Sequence, residues 1–285
     1  MRNLSLLAPS QVDEFCQNGV LVLRGFYDLD RDIKPIQRGI YEVIGQVMKR
    51  HGVADKRKPF CAENFDEGYL DLVNRNRSWC AEIYDAVKQI PSFIRLVGSP
   101  FNEQLFCEVR SGSMPGVAAG GFGIRIDNPN EERFRAPWHQ EYPAQLRSLD
   151  GLVFWSPLIP VTEELGPVTI CPGSHREGAV PVFTHDPNNP DKSGAYSLVL
   201  KDEEALIAKY AKVAPLTRPG DLLIIDFLTL HASGNNSGSR ARWSIQFRYF
   251  NFDDPTGLGH GWKGSYAAGV DFRAVHPELC ADLDH

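Results

Sequence analysis

Apolar residues recur at helical spacing through the first hundred residues of the chain. The helices predicted from this spacing cover Gln11–Gln17, residues 32–51 and Arg77–Ile90. Ser10 is expected to cap the first helix, Gly19 to stop it, and Pro91 to end the last. A short strand is predicted at Val20–Leu23. Residues 52–75 show no clear period and are expected to form a loop over a site.

From residue 105 the pattern changes to short apolar runs separated by turn residues. The predicted strands are Leu105–Val109, Phe122–Asp127, Gly151–Ser156, Pro167–Cys171, Ser197–Leu200, Leu222–Phe227 and Arg242–Phe250. Along the last strand, polar and apolar residues alternate, with the polar face formed by Arg242, Ser244, Gln246 and Arg248. A polar inward face is costly in a packed core but suits a barrel that holds a ligand. The pattern predicts a mainly β fold with a jelly-roll core and flanking N-terminal helices.

The length of the chain favours a single domain. Its 285 residues, 42% of them hydrophobic, are enough to bury a sizeable core, and no low-complexity linker divides them. The predicted division is a mainly helical flank over about residues 1–100, a jelly-roll core over 101–253, and a glycine-rich C-terminal excursion and tail over 254–285. Oligomeric state stays open.

Composition narrows the class of partner. The formal net charge is −6, with acidic and basic residues interspersed, so the strong positive field of a nucleic-acid binder is missing. A small molecule is the expected partner, and binding to a nucleic acid or a membrane is not expected. No apolar run approaches the roughly 18 residues of a membrane span, and the N-terminus does not resemble a full signal peptide. Six scattered cysteines without a Cys-x-x-Cys pair are expected to be reduced, which favours a cytoplasmic protein.

Two histidines and one acid stand out as candidate metal ligands. His139 and Glu141 are two residues apart, so on an extended strand both would project from one face while Gln140 points away. A distant strand would deliver His231. Two imidazoles and one carboxylate are the ligand set of a mononuclear non-haem iron site, which leaves positions open for a chelating co-substrate and dioxygen.

Arg242, eleven residues beyond His231, is the candidate anchor for a co-substrate carboxylate. A buried guanidinium presents a planar fork that binds a carboxylate through two charge-assisted hydrogen bonds, as 2-oxoglutarate would require. Ser233 is placed to donate its hydroxyl to the same carboxylate. Arg240 is the rival anchor, although it lies in a turn and is expected to be solvated.

The chain resembles the phytanoyl-CoA dioxygenase family of iron(II)/2-oxoglutarate oxygenases over nearly its whole length. The segments that carry this resemblance are Leu7–Phe26, Trp138–Glu141, Phe154–Leu158, Leu165–Pro167, Pro172–His175, Gly220–Asp221, His231–Ser233 and Arg242. The resemblance implies a double-stranded β-helix, or cupin-like jelly roll, that forms one catalytic domain. It also implies Fe(II), 2-oxoglutarate and O2 as the reactants that accompany a small-molecule substrate, which is hydroxylated with release of succinate and CO2.

The resemblance also implies roles for particular residues. His139, Glu141 and His231 would bind iron, Arg242 and Ser233 would bind the far carboxylate of 2-oxoglutarate, and Trp155 would lie beside it. The chain departs from the family in having Glu141 where aspartate is usual, and Leu165 where asparagine is common. Glutamate can still bind a metal, so altered geometry is expected rather than a lost site.

Other residues near these motifs have weaker assignments. His175 is expected to serve the structure or the rim of the site rather than the metal, and Arg125 is a candidate contact for an anionic substrate. Two other functions stay open: a non-catalytic β-barrel that binds a ligand, and a zinc hydrolase with a His, Glu and His ligand set. The hydrolase would lack the helical His-Glu-x-x-His motif of many zinc proteases and would leave Arg242 without a purpose.

Overall fold

The structure, a computed structural model, describes residues 5–188 and 197–281. Its helices are α1 (Pro9–Asn18), α2 (Lys34–Arg50), α3 (Tyr69–Arg75), α4 (Ser78–Val87), α5 (Pro91–Val97), α6 (Pro100–Val109), α7 (Tyr142–Gln145), α8 (Glu203–Ala208), α9 (Pro255–His260), α10 (Ser265–Ala268) and α11 (Phe272–Val275). A π-helical turn, Leu29–Ile33, leads into α2.

The strands are β1 (Val20–Leu23), β2 (Pro115–Val117), β3 (Gly123–Asp127), β4 (Leu152–Pro157), β5 (Val168–Ile170), β6 (Val182–Phe183), β7 (Val199–Leu200), β8 (Leu222–Asp226), β9 (His231–Ser233) and β10 (Arg242–Asn251). Six of them form an antiparallel sheet in the order β1-β8-β4-β10-β2, with β3 also paired to β10. β5 pairs with β9, and β6 with β7. Helical residues outnumber strand residues, so the expected mainly β character describes the centre of the fold and not its residue count.

The start of the chain differs from the expected capping. α1 begins at Pro9 after Ala8, and Ser10 lies inside its first turn, so the prediction that Ser10 caps the helix is wrong. Proline fits the first turn of a helix because its missing N–H would have no partner there. Pro91 acts in the same way: it begins α5, and the helix that it was predicted to end, α4, already ends at Val87. Gly19 does end α1, with a left-handed φ of 67°.

The predicted strand Leu105–Val109 is wrong, because these residues complete α6. Leu105, Phe106 and Val109 are all buried and lie at helical spacing on one face of that helix. A short apolar run fits either a strand or a buried helix, and here Pro100 at the first helical position decides for the helix. The sheet therefore begins at β2 in this part of the chain, and it also recruits β1 from the N-terminal flank.

The six-stranded sheet buries both of its faces. One face, including Phe154, Ile224 and Phe247, packs into a hydrophobic core shared with the N-terminal helices. The other face, including Trp155 and Ile225, forms a second core with β5 residues, Leu230 just before β9, and the C-terminal segment. Because β10 alternates, its apolar residues enter the first core and its polar residues face the side of the smaller sheet.

Residues 52–75 do not form a loop over the polar face of β10. Phe65 and Tyr69 make edge-on contacts with the Trp243 ring, at centroid distances of 5.8 and 4.9 Å. The Trp243 indole N–H also donates to Asp66, 3.2 Å away. Trp243 lies on the face of β10 opposite to Arg242. Residues 52–75, called the outer segment below, therefore pack against the apolar face of β10, and the expectation of a loop over the site is wrong.

The C-terminal segment, which was predicted to be an irregular excursion, contains short helices and packs against the second core. It folds into α9, α10 and α11, and Phe272 and Cys280 are buried in the second core. His276 Nε2 lies 2.6 Å from the Tyr142 hydroxyl, which ties the segment to α7. Residues 282–285 of the predicted tail lie outside the described residues. None of the helices within residues 5–188 and 197–281 is both long and apolar enough to cross a membrane.

Candidate metal centre

The backbone itself holds the two candidate histidine ligands side by side. The His139 N–H donates to the His231 carbonyl and the His231 N–H donates to the His139 carbonyl, both at 3.1 Å. His231 begins β9, so His139 extends the smaller sheet by one isolated bridge. The two imidazole centroids are 4.3 Å apart.

Both imidazoles present the same nitrogen to the space between them. His139 Nδ1 is 2.8 Å from the Pro137 carbonyl, and His231 Nδ1 is 2.9 Å from the Thr229 carbonyl. Since a carbonyl only accepts, each Nδ1 carries the proton, and each Nε2 lies within 4 Å of Glu141 Oε2. Burial, reinforced by the neighbouring His139 ring, lowers the pKa of His231 to about 3, so this ring is neutral near pH 7.

Glu141 supplies the third candidate ligand atom, but from a helix and not from a strand. Its backbone (φ −71°, ψ −31°) is helical and forms the N-cap of α7. The predicted strand geometry is therefore wrong, although the pairing it predicts is correct. Glu141 Oε2 lies 3.7 Å from His139 Nε2 and 3.9 Å from His231 Nε2. One ligand atom from each of the three residues lies within 4.8 Å of the others.

Gln140, between the two ligands, points away as expected. Its amide N–H groups donate to the carbonyls of Gly178 (2.8 Å) and Leu228 (2.7 Å), and its Oε1 accepts from the Val180 N–H at 2.9 Å. These three bonds fix the short segment between His139 and Glu141 against two loops. The segment thereby turns both candidate ligands to the same side.

Two residues that sequence reasoning missed hold the Glu141 carboxylate. Arg248 Nε donates to Glu141 Oε1 at 3.0 Å, and Gln145 Nε2 donates to the same oxygen at 3.1 Å. Burial alone would raise the pKa of the Glu141 carboxyl, but the Arg248 guanidinium and both imidazoles lower it below its ordinary value. The alternation of β10 and the four-residue spacing from Glu141 to Gln145 were the available signals.

Arg242 lies in a buried polar cluster at the start of β10. Its side chain is 0% exposed, and Nη2 donates to Asp127 Oδ2 at 2.8 Å and to Ser233 Oγ at 3.2 Å. Within the described residues, Arg242 Nη1 is buried without a hydrogen-bond partner. Asp127, also missed from the sequence, accepts from Arg125 on its other oxygen at 2.8 Å. Two guanidiniums thus share one carboxylate.

The other candidate residues occupy different places. Arg240 donates to Asp66 (2.7 Å) and to the Glu63 carbonyl, so its guanidinium is engaged with residues 63–66. Trp155 lies opposite Gln246, which is four residues beyond Arg242 on β10. The position of Trp155 beside a co-substrate stays a prediction. His175 Nε2 is 3.2 Å from the Cys16 carbonyl, a contact with α1 that agrees with a structural role.

The residues fit a non-haem iron ion and a dicarboxylate. Two imidazoles and one carboxylate are the ligand set preferred by Fe(II) in oxygenases, and together they occupy one side of an ion. Ser233 is two residues beyond His231 on β9, so the same short strand carries a metal-ligand candidate and a contact of Arg242. An unpartnered buried guanidinium N–H is the complement of a carboxylate oxygen.

Comparisons with known proteins agree on the fold. A family model described as phytanoyl-CoA dioxygenase (PhyH) matches residues 15–244. Among solved structures, EctD from S. alaskensis with 2-oxoglutarate and 5-hydroxyectoine is similar, with 15% identity and a TM-score of 0.58 over 95% of this chain and 86% of that chain. At such low identity the likeness shows a shared fold. No curated protein matches the sequence.

Two enzymes of nogalamycin biosynthesis are also similar in structure. The carbocyclase SnoK has 13% identity and a TM-score of 0.55, covering 94% of this chain and 95% of that chain. The epimerase SnoN, in complex with Fe3+, alpha ketoglutarate and nogalamycin RO, has 16% identity and a TM-score of 0.54, covering 88% and 87%. These relatives share the fold and differ among themselves in the reaction that their names state.

Proposed function

The chain belongs to the phytanoyl-CoA dioxygenase family, whose members are iron- and 2-oxoglutarate-dependent oxygenases, and we propose that it hydroxylates an unactivated C–H bond of a small polar metabolite. The observation that carries the proposal is the position of β9. One end of this three-residue strand brings His231 to the ligand cluster, and the other end brings Ser233 to Arg242. 2-Oxoglutarate carries a chelating group at one end and a carboxylate at the other, which matches this pair of sites.

We assign the fold to a double-stranded β-helix that forms a single catalytic domain. Support comes from the antiparallel pairing of the sheets and from the second core, which they share. Leu7 and Phe15 of the N-terminal flank are buried in the first core, and Phe272 of the C-terminal segment is buried in the second. Neither flank therefore has a separate hydrophobic core among the described residues.

In this proposal His139, Glu141 and His231 hold Fe(II) through the two Nε2 atoms and Oε2. Arg242 and Ser233 bind the far carboxylate of 2-oxoglutarate. Arg242 is suited to this because it is fully buried and because, among the described residues, its Nη1 has no hydrogen-bond partner. A buried guanidinium N–H without an acceptor is unfavourable, so a bound carboxylate oxygen would stabilise it.

The bound iron and 2-oxoglutarate supply the oxidation: O2 is consumed, 2-oxoglutarate becomes succinate and CO2, and one oxygen atom enters the substrate. The protein contributes position and exclusion of water. Trp155, 4% exposed, and its apolar neighbours of the second core exclude water from that side of the sheet. Gln246 and Arg248, on the polar face of β10, favour a polar substrate. A cytoplasmic location belongs to the same proposal, and the six free cysteines support it.

The test is turnover with defined reactants. Protein loaded with Fe(II) is incubated with 2-oxoglutarate, O2 and pools of amino acids, sugars or coenzyme A thioesters, while succinate and product mass are followed. The expected result is succinate formed in step with one product that has gained a single oxygen atom, and neither in His139→Ala. Hydrolysis without use of 2-oxoglutarate would support the zinc hydrolase, and ligand binding without succinate would support the non-catalytic barrel.

A further inference from the structure

The two oxygens of the Glu141 carboxylate have different surroundings. Oε2 faces the two imidazoles, at 3.7 Å from His139 Nε2 and 3.9 Å from His231 Nε2. Oε1 accepts two hydrogen bonds, from Arg248 Nε at 3.0 Å and from Gln145 Nε2 at 3.1 Å. The side chain is almost fully buried, so water does not compete freely for Oε1.

Both donors to Oε1 are themselves held by other groups. Arg248 Nη1 donates to the Gly121 carbonyl (3.3 Å) and Nη2 donates to Gln246 Oε1 (3.2 Å). Gln145 Oε1 accepts from Arg147 Nη1 at 2.8 Å, which leaves the amide NH2 of Gln145 to face Glu141. A rotation of either donor away from Oε1 would break these further bonds. The orientation of the carboxylate is therefore set by two elements, β10 and α7.

We propose that Arg248 and Gln145 act as a carboxylate clamp that restricts Glu141 to one metal-binding oxygen. Carboxylates bind metals through one or both oxygens. If both oxygens of Glu141 bound, the second would occupy one of the three coordination positions that 2-oxoglutarate and O2 share, so 2-oxoglutarate would have to displace that oxygen or leave no position for O2. Glutamate has one more rotatable bond than the aspartate usual in this family, so its freedom to swing is greater and a clamp has more to restrict. The proposal rests on the function proposed above and names two positioning residues for it.

A purely structural ion pair between β10 and α7 is the competing explanation. A structural role alone does not explain a positive charge at this position, because a guanidinium near a divalent cation repels the cation and weakens its binding. The position of Arg248 has a function if the guanidinium orients the Glu141 carboxylate. Two independent donors also converge on the same oxygen and leave the other one, Oε2, to the imidazoles. A structural ion pair would not require this division between the two oxygens.

The test compares Arg248→Met and Gln145→Met with Arg110→Met. Arg110 is a matched control, since it forms an ion pair with the buried Asp226 on β8 and is 18% exposed, against 14% for Arg248. Each protein is checked for folding by circular dichroism and loaded with Fe(II) without O2. 2-Oxoglutarate is then titrated while the visible charge-transfer band of its chelate is recorded, and a parallel titration measures Fe(II) affinity.

We expect Arg248→Met and Gln145→Met to retain Fe(II) but to bind 2-oxoglutarate at least about tenfold more weakly, with a smaller or shifted band. Arg248→Lys, which keeps one donor and the charge, is expected to recover most of the affinity. Arg110→Met should unfold at a lower temperature yet keep the wild-type Kd and band. If Arg248→Met does not fold, Gln145→Met decides, because it removes the second donor to the same oxygen.

Two results would overturn the clamp and are distinguishable. If the wild type gives the band and both Met variants match it in Kd and spectrum, the clamp is wrong while the proposed function stands. If the wild type binds Fe(II) but never gives the band, the proposed function fails, and the clamp fails with it.

Discussion

His139 and His231, far apart in the sequence, exchange a reciprocal pair of backbone hydrogen bonds of 3.1 Å each. The spacing of the two imidazoles is therefore set by strand pairing and does not depend on flexible side chains. Each ring is oriented by a hydrogen bond from Nδ1 to the carbonyl two residues before it in the chain. The metal centre is thus largely organised before any metal binds, which lowers the conformational cost of binding.

Replacement of either histidine by alanine should abolish the metal site. With one of three ligands removed, Fe(II) or Co(II) affinity should fall by more than about 100-fold, since even groups that only orient ligands contribute 10- to 100-fold. Metal content after anaerobic loading and desalting measures this. His175→Ala is the control and should keep the wild-type content. Full occupancy in His139→Ala or His231→Ala would remove that residue from the site.

Arg242→Ala should weaken 2-oxoglutarate binding and leave Fe(II) binding nearly unchanged. Truncation of a buried partner of a carboxylate costs about 2–5 kcal/mol, which corresponds to roughly 30- to several-thousand-fold in Kd. An anaerobic titration of the Fe(II) protein measures it. Arg240→Ala is the matched control, because Arg240 pairs with Asp66 on the outer segment. The opposite pattern, with only Arg240→Ala impaired, would reverse the assignment.

The ligand residues were accessible from the sequence because each belongs to a local motif. The His139–Glu141 spacing, His231 and Arg242 identify themselves by residue type and separation, whatever the backbone between them does. The backbone conformation was harder to predict. Glu141 lies at a helix N-cap and not on a strand, and the run Leu105–Val109 fits a buried helix as well as a strand.

The partners of the ligand residues were not accessible from the sequence, because they depend on strand register and tertiary packing. Asp127 meets Arg242 only because β3 pairs with β10 in a register that places the two residues opposite each other. Arg248 reaches Glu141 only because α7 packs beside the polar face of β10. Local spacing could have indicated Gln145, four residues beyond Glu141, but it carries no information on pairings between segments that are distant in the sequence.

Gly19 should tolerate alanine much less well than Gly25. Both have a left-handed φ, 67° and 61°, which costs a residue with a Cβ about 1–2 kcal/mol. A Cβ at Gly19 would also lie 2.2 Å from Thr229 Oγ1 and 2.4 Å from His175 Nδ1, whereas at Gly25 it would meet nothing within 4 Å. Urea unfolding should therefore show Gly19→Ala about 1–3 kcal/mol less stable than Gly25→Ala. Equal losses would contradict this packing.

Asp221 should make stability fall in acid. Its buried carboxylate accepts from the Gly25 N–H (3.0 Å), Arg24 Nη1 (2.8 Å) and the Arg218 N–H (3.1 Å). Burial alone would raise the pKa of Asp221, but the Gly25 N–H and Arg24 outweigh it and lower the pKa below its ordinary value. A lowered folded-state pKa gives stability that is complete above the unfolded pKa, about 3.9, and is lost as pH falls through the folded value.

The variant Asp221→Asn tests this dependence. At pH 7 it should be about 2 kcal/mol less stable than the wild type, because it weakens hydrogen bonds to a buried charged group. The gap should narrow below about pH 4, where the wild type begins to lose the same contribution. Urea unfolding at pH 7 and at lower pH measures both. A gap that stays constant down to pH 3 would show that the Asp221 charge does not contribute.

The most direct test of the account is an anaerobic titration of Fe(II)-loaded protein with 2-oxoglutarate, with His139→Ala alongside. The wild type is expected to develop a visible charge-transfer band that saturates with one 2-oxoglutarate per iron, and His139→Ala is expected to develop none. A wild-type protein that holds iron but develops no band, or a band that persists unchanged in His139→Ala, would contradict the placement of iron and 2-oxoglutarate at His139, Glu141 and His231.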